Sequence, residues 1–322
     1  MPQPRKALVS VDTTPSYHVV SRCVRRTFLF GIVDNKDFSH RRDAIVQRLS
    51  ELATLFCIDI AAYAIMSNHY HLVVRIQKQR ALDLSVTDVI KRWSALYSLP
   101  FLAKRYANDE VLTDAELVEA ERQIEERRAR LYDLSWFMRC LNEPIARIAN
   151  LEDGCTGRFW EGRFKSQALL DERAELQAMA YVDLNPIRAK MADKLEDSDF
   201  TSIQTRAGFK DSPMGPLLLP FAGDSHQCNN PEHIPYNLIE YIQLVDWTGR
   251  QLKAGKRGHI SNEIPPIFER LKINTAAWLH NCEGLEKTYY RVIGSAARLQ
   301  EFCEKLKQQR VLGIAAARQA FG

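Results

Sequence analysis

The sequence predicts an α+β fold, because strand patterns near the start of the chain are followed by helical ones. Residues 17–24 alternate between apolar and polar side chains, 37–56 have a helical periodicity, and apolar runs follow at 58–64 and 69–76. From residue 81 onward helical patterns dominate. The order strand, helix, strand, strand and then helices indicates a sheet that is covered by helices.

Three helical segments separate the early strands from the later motifs. Residues 81–105 have a helical periodicity, and Thr113 and Glu116 form a capping box that opens a long charged helix through Arg130. Residues 135–149 carry large apolar side chains at helical spacing, which we interpret as core packing. We therefore expect a helical insertion at about 80–150 that enlarges the binding face or covers the sheet.

Length and composition indicate a globular protein of roughly two domains. The chain has 322 residues, of which 46% are apolar and 26% charged, and these values exclude general disorder. The sequence lacks an apolar run that could cross a membrane and an apolar signal-peptide core, so we expect a cytoplasmic protein with no membrane partner. We expect domains at 1–206 and 236–322, the second helical and of unknown role, with a linker or long loop rich in Pro, Gly and Asn at 207–235.

The cysteines predict neither a disulfide framework nor a convincing zinc site. Seven cysteines are scattered along the chain without any Cys-x-x-Cys pair. His226, Cys228 and His233 could be zinc ligands, but no fourth ligand has suitable spacing. A loop is the favoured interpretation of that segment.

The triplet His69-Tyr70-His71 begins the run at 69–76 and continues into Leu-Val-Val. On a strand the side chains alternate, so the two histidines lie on one face and the tyrosine on the other. Two neighbouring imidazoles can bind one metal ion. The alternative is that both are polar residues on the solvated face of a half-buried strand.

A second motif lies at the end of a predicted helix. Asp171 is suited to be its N-cap, with Glu172 and Glu175 in the first turn. The helix should stop near Asn185, because the following proline disfavours the α conformation there. Tyr181 then lies one turn before Asn185 on the same face, which places a phenol that can attack phosphorus near an amide oxygen that can bind a hard cation.

Together these motifs resemble those of the single-tyrosine HUH transposases, in particular the REP-associated tyrosine transposases. Members of that family carry His-hydrophobe-His on a central strand, which His69-Tyr70-His71 matches. They carry a nucleophilic tyrosine on a later helix, four residues before a polar metal ligand, as Tyr181 and Asn185 stand here. A Gly-Arg-Phe-Trp segment at 157–164 and an Asn-Pro-Ile-Arg-Ala ending at 185–189 also correspond.

The resemblance covers about residues 17–206, interrupted by the insertion, and starts with the strand at 17–23. It implies a ferredoxin/RRM-like antiparallel sheet for residues 1–206. Insertion-sequence members usually carry Gln where Asn185 stands, and the family's minimal members are much shorter. The region after Arg206 has no counterpart in the resemblance.

The resemblance also implies the activity, which is DNA nicking and strand transfer on single-stranded DNA that forms hairpins. His69, His71 and Asn185 would hold one divalent ion, Mg²⁺ or Mn²⁺. Tyr181 would attack phosphorus and give a 5′-phosphotyrosine with a free 3′-hydroxyl. The DNA sequence read and the oligomeric state, monomer or homodimer, are left open.

Basic residues cluster beside these motifs, although the net charge is only +4. Several of them are interleaved with Phe159, Trp160 and Phe164, a composition suited to phosphates with stacked, unpaired bases. Each cluster alone could be an ordinary solvated surface. The predicted DNA contacts are Arg22, Arg25, Arg26, Arg158, Arg163, Lys165 and Arg188.

Two other functions are weighed against this hypothesis. A domesticated relative could bind hairpin DNA without cutting it, but binding alone requires neither the histidine pair nor the Tyr181–Asn185 pair. A hydrolytic phosphodiesterase could use the two histidines as acid and base, but it has no role for Tyr181.

Overall fold

A five-stranded sheet forms the centre of the computed structural model, which describes residues 9–24, 32–33, 36–223, 231–254, 264–289, 291–305 and 313–321. The strands, including a separate hairpin of β2 and β3, are β1 Ser16–Arg22, β2 Ile32–Val33, β3 Lys36–Asp37, β4 Ile58–Ile65, β5 His69–Ile76, β6 Lys165–Leu169 and β7 Val292–Ile293. The sheet order is β4-β5-β1-β6-β7, and only the β6–β7 pair is parallel.

Helices surround this sheet and make up most of the rest of the structure. The helices are α1 His40–Leu55, α2 Lys78–Leu82, α3 Val86–Ser94, α4 Phe101–Ala107, α5 Asp114–Arg130, α6 Leu134–Glu152, α7 Glu172–Asp183, α8 Asn185–Arg188, α9 Ser202–Arg206, α10 Leu238–Ala254, α11 Ile267–Arg270, α12 Thr275–Thr288, α13 Ala296–Lys305 and α14 Ile314–Phe321. A short 3-10 turn lies at Gly215–Leu217. Among the described residues, no helix combines the length and the apolar character that a membrane crossing needs.

The chain order β1-α1-β4-β5 and then β6, with the antiparallel spatial order β4-β5-β1-β6, is the ferredoxin/RRM-like arrangement. The predicted fold class is therefore confirmed. The sheet also has a fifth strand, β7, which comes from the C-terminal region and pairs in parallel with β6 through Ala168 and Leu169.

The two faces of the sheet are covered by different helices. Tyr70 lies on the face covered by α1 and α6, where its hydroxyl donates a hydrogen bond of 2.6 Å to Asn142 on α6. His71 lies on the other face, which α7 covers, and its ring is 5.8 Å from the ring of Tyr181. The alternation expected for a strand therefore separates a packing face from the face that carries the histidines.

The helical insertion is confirmed as α2 to α6. The capping box of Thr113 and Glu116 opens α5, which ends at Arg130 as predicted. The helix predicted at 81–105 is instead divided among the end of α2, α3 and α4. Pro100 stands at the N-cap of α4, and a proline disfavours the helical conformation of the residue before it.

The C-terminal region shares one hydrophobic core with the first domain, since buried residues from both belong to the same cluster. The segment predicted as a linker also contacts the sheet: Leu218 forms a bridge with Ile60 on β4, and Met214 is fully buried. The predicted domain division stays a prediction, but the residues on both sides of it pack together.

Candidate active site

The strand β5 places both predicted histidines on the face beneath α7. The rings of His69 and His71 are 4.9 Å apart, centroid to centroid, and nearly perpendicular. His71 is buried, whereas His69, at the start of the strand, is half-buried. His69 therefore lies nearer the protein surface, and His71 lies deeper in the site.

Helix α7 is held over the sheet at its first turn. The Asp171 side chain caps it by accepting from the Ala174 N–H at 2.9 Å, as the sequence predicts. Arg75 on β5 donates to the Glu175 carboxylate at 2.5 Å, and both side chains are buried. A buried pair of this kind gives an orientation to the helix, because leaving one charge unpaired there would be costly.

The end of α7 is held by Asp183, which is fully buried. Its carboxylate accepts from the Ser202 hydroxyl at 2.5 Å, the Ile203 N–H at 2.9 Å and the Tyr241 hydroxyl at 2.5 Å. Burial is the larger effect and raises the pKa of Asp183 to about 6, although the hydrogen bonds oppose it. Tyr241 belongs to α10, so the C-terminal region helps to position the helix that carries Tyr181.

The Tyr181 ring lies against a group of histidines. Its centroid is 5.8 Å from those of His71 and of His18, a residue on β1, and its side chain is 5% exposed. The guanidinium of Arg188 covers the ring, with its carbon 3.9 Å from the centroid. Burial raises the pKa of Tyr181 to about 12, while the Arg188 cation acts to lower it.

Two residues of the site were missed by sequence reasoning. Glu286 on α12 lies 3.7 Å from His71 Nδ1 through its Oε1, and its carboxylate acts to raise the pKa of Tyr181. His18 lies 2.9 Å from the same nitrogen through its Nε2. The signal for His18 was a histidine within a buried strand, whereas nothing in the local sequence distinguishes Glu286 from Glu283, the other acidic residue of α12.

The two predicted histidine ligands are neutral and have nitrogens suited to a metal. His69 Nδ1 lies 2.6 Å from the Asn68 amide oxygen, which can only accept, so its Nε2 carries the lone pair. His71 Nε2 is buried without a hydrogen-bond partner in the described part of the chain. Burial lowers the pKa of His69 to about 4 and that of His71 well below its usual value, so both imidazoles can act as ligands at neutral pH.

Asn185 begins α8, one turn after Tyr181, and is buried. Its amide oxygen accepts from Arg188 Nη2 at 2.9 Å, and an amide oxygen has a second lone pair for a cation. Its amide nitrogen is buried without a partner among the described residues. Within those residues no three His, Cys, Asp or Glu side chains group as a metal site, so an ion here would require this amide or solvent oxygens.

The predicted DNA contacts are divided between two places. Arg22 and Arg188 adjoin the histidines, and both cations act to lower the pKa of His69. The loop before β6 and its first residue carry the exposed residues Arg158, Arg163 and Lys165. The remaining predicted contacts, Arg25 and Arg26, lie outside the described residues, as do His226 and Cys228 of the alternative zinc site.

The aromatic residues of this loop pack inward more than expected. Phe159 is buried, and its ring contacts Trp160 at 4.9 Å. Trp160 is half-buried, and it contacts the Tyr70 ring and donates to the Asn142 carbonyl at 2.9 Å. The expectation that Phe159 stacks on a base is therefore wrong, because its ring already packs in the core.

Comparisons with known proteins give one similar structure. No protein-family model and no curated protein matches the chain. A solved structure of a REP-associated tyrosine transposase bound to a REP hairpin is similar to it, with a TM-score of 0.34 and 11% sequence identity. The similarity covers 66% of this chain and 89% of that one.

Proposed function

We propose that this protein is a metal-dependent DNA-nicking and strand-transfer enzyme that acts on single-stranded, hairpin-forming DNA. The observation that supports this most is the packing of the Tyr181 phenol against His71, at 5.8 Å between ring centroids. The paired neutral histidines supply metal-binding nitrogens, and the tyrosine beside them supplies a nucleophile. Neither a structural core nor simple DNA binding requires that combination.

His69, His71 and Asn185 would hold the ion, Mg²⁺ or Mn²⁺. When bound, the ion polarises the scissile phosphate and stabilises its developing charge. The Tyr181 oxygen forms a bond to phosphorus while the bond to the 3′ oxygen breaks. The phenol loses its proton and the 3′ oxygen gains one, which leaves a 5′-phosphotyrosine and a 3′-hydroxyl. Because the phosphoester bond energy is retained, another 3′-hydroxyl can reverse the step and join strands.

Deprotonation of Tyr181 is the main chemical difficulty of this mechanism. Burial raises the pKa of the phenol to about 12, and the Glu286 carboxylate contributes to that increase. The stacked Arg188 guanidinium acts in the opposite direction and stabilises the phenolate. A phosphate that displaced Glu286 would leave Arg188 as the dominant charge at the nucleophile.

The substrate form follows from the position of the basic residues. Arg22 and Arg188 lie at the candidate site, and Arg158 and Lys165 are exposed on the loop and strand that follow α6. A single strand can follow such a surface and bring its backbone to a tyrosine held between a helix and the sheet, whereas a rigid duplex cannot.

A domesticated protein that binds hairpins without cutting is the second candidate. The observation in its favour is the closed site, because Tyr181 is only 5% exposed and the Arg188 guanidinium covers its ring. Covalent capture of DNA distinguishes the two candidates.

The experiment is to incubate the protein with a labelled single-stranded hairpin DNA and Mn²⁺ and to look for an adduct stable in SDS. The wild-type protein should form the adduct, and Tyr181→Phe should not, although it should fold and bind the hairpin. Tyr70→Phe, which removes a phenol on the other face, is the matched control and should form the adduct. A fully paired duplex of the same sequence should be inert. An adduct on the Tyr181→Phe variant would disprove the assignment of the nucleophile.

A further inference from the structure

A chain of hydrogen bonds lies behind His71, on the side of the ring away from its free Nε2. It begins in the C-terminal region, where the carbonyl oxygen of Tyr289 accepts a hydrogen bond from the Gln167 side-chain nitrogen. It continues from the Gln167 amide oxygen to His18 Nδ1 at 2.7 Å, and from His18 Nε2 to His71 Nδ1 at 2.9 Å. Gln167, His18 and His71 are all buried.

The direction of each hydrogen bond follows from the chemistry of its acceptor. The Tyr289 carbonyl can only accept, so it orients the Gln167 amide with its nitrogen toward Tyr289 and its oxygen toward His18. The amide oxygen can also only accept, so His18 Nδ1 must carry the hydrogen. In a neutral imidazole the other nitrogen then carries the lone pair, so His18 Nε2 accepts from His71 Nδ1.

His71 is the last member of the chain, and its tautomer is thereby determined. Because its Nδ1 donates to His18, its Nε2 carries the lone pair, and this atom has no partner in the described ranges. The planes of the His18 and His71 rings differ by only 6° and their centroids are 5.2 Å apart, as expected for two rings joined edge to edge by this hydrogen bond, so the orientation of His71 is constrained as well. The opposite tautomer would place a hydrogen on Nε2 and leave two bare nitrogens facing each other.

We propose that His18 and Gln167 are positioning residues that hold His71 as its Nδ1–H tautomer, with the Nε2 lone pair presented to a divalent metal ion. The Tyr289 carbonyl holds the far end of this network. The C-terminal region therefore helps to orient a metal ligand, although Tyr289 itself does not bind the ion. The metal part of the inference rests on the proposed function, whereas the tautomer is a property of the metal-free protein.

The first test is nitrogen-15 NMR of the histidine side chains in the metal-free wild-type protein. The His71 signals are assigned by their loss in His71→Gln. We expect a protonated, pyrrole-type Nδ1 and a bare, pyridine-type Nε2 for His71, and the same for His18. A His71 ring protonated on Nε2 would overturn the proposal.

The second test is Mn²⁺ binding measured by calorimetry. Gln167→Leu and His18→Phe should each weaken binding by about 10- to 100-fold, the usual effect of losing a partner of a metal-binding histidine. His18→Gln, which keeps an acceptor for His71, should restore part of the affinity. Tyr70→Phe also loses a buried hydrogen bond, but on the opposite face of β5, and should bind Mn²⁺ as the wild type does.

The outcomes separate this proposal from the proposed enzymatic function. Unchanged Mn²⁺ affinity in folded Gln167→Leu, with a His71 tautomer that is also unchanged, would show that the network does not position the ligand. A wild-type protein that binds Mn²⁺ and has the expected tautomer, but forms no DNA adduct, would contradict the enzymatic function and leave the positioning role intact.

Discussion

Arg188 stacks on Tyr181, with its guanidinium carbon 3.9 Å from the centre of the phenol ring. The same guanidinium donates to the Asn185 amide oxygen at 2.9 Å and to the backbone carbonyls of Cys282 and Glu283 on α12, at 3.2 and 3.3 Å. One side chain therefore connects the candidate nucleophile, a candidate metal ligand and the C-terminal region. Only arginine has enough donors in a planar arrangement to make all these contacts.

Replacing Arg188 by Gln should reduce adduct formation and move its pH dependence upward. The Arg188 cation acts to lower the pKa of Tyr181, so its loss should raise that pKa and reduce the phenolate fraction at any given pH. The rate of adduct formation measured against pH checks this. Arg188→Lys keeps the charge but loses the planar guanidinium with its several donors. Its rate of adduct formation should therefore lie between those of Arg188→Gln and the wild type. A pH profile unchanged by Arg188→Gln would contradict this role.

Replacing Glu286 by Gln should make Tyr181 more reactive. The carboxylate acts to raise the pKa of Tyr181, so neutralising it should lower that pKa and speed adduct formation. Glu283→Gln is the matched control, because Glu283 is exposed on the same helix. If Glu286→Gln instead abolished the adduct, while still binding hairpin DNA, the carboxylate would be needed for the reaction.

Removing both histidines should abolish metal-dependent cleavage. The double substitution His69→Ala and His71→Ala deletes both nitrogen ligands, and the oxygen ligands that remain cannot hold the ion by themselves. Asn185→Ala should have a smaller effect, since water can replace one oxygen ligand. Cleavage and Mn²⁺ affinity measured for each variant check this expectation. Full cleavage by the wild type in EDTA would exclude a metal-dependent mechanism.

The stability of the protein should fall on acidification below about pH 6.5. His18, His69 and His71 have pKa values lowered from 6.5, chiefly by burial, that of His69 to about 4. Between these values the unfolded chain binds protons that the folded protein excludes, so the free energy of unfolding decreases as the pH falls. Asp183 acts oppositely, because its folded-state pKa of about 6 exceeds the ordinary 3.8 and its contribution grows on acidification.

His69, with its pKa lowered to about 4, contributes an uptake of about one proton on unfolding in this range, or roughly 1.4 kcal/mol per pH unit, and the buried His18 and His71 act in the same direction. Urea unfolding at about pH 7, 6 and 5 measures this slope. His69→Gln should reduce the slope by about one proton, or roughly 1.4 kcal/mol per pH unit. His280→Gln, which replaces an exposed histidine, should leave the slope unchanged. Equal slopes for wild type and His69→Gln would show that His69 is not excluded from protonation in the folded state.

Local sequence determined the parts of this protein that depend on backbone periodicity. Strand alternation puts His69 and His71 on one face and Tyr70 on the other, and helical spacing puts Tyr181 one turn before Asn185. The Thr113 capping box and the Asp171 N-cap are likewise local, because each cap involves residues within one turn of the chain. These features could be predicted since each depends on neighbours only a few residues away.

Tertiary structure decided which other residues surround the two histidines and Tyr181. His18 contacts His71 although it lies 53 residues earlier in the chain, and Glu286 contacts it from the C-terminal helix α12. No local sequence pattern relates either residue to His71. The placement of α7 over the histidine face depends on Glu175 pairing with Arg75 and on Asp183 accepting from Tyr241. Such contacts are chosen by the packing of whole elements, so the role of the C-terminal region in the site appears only in the folded chain.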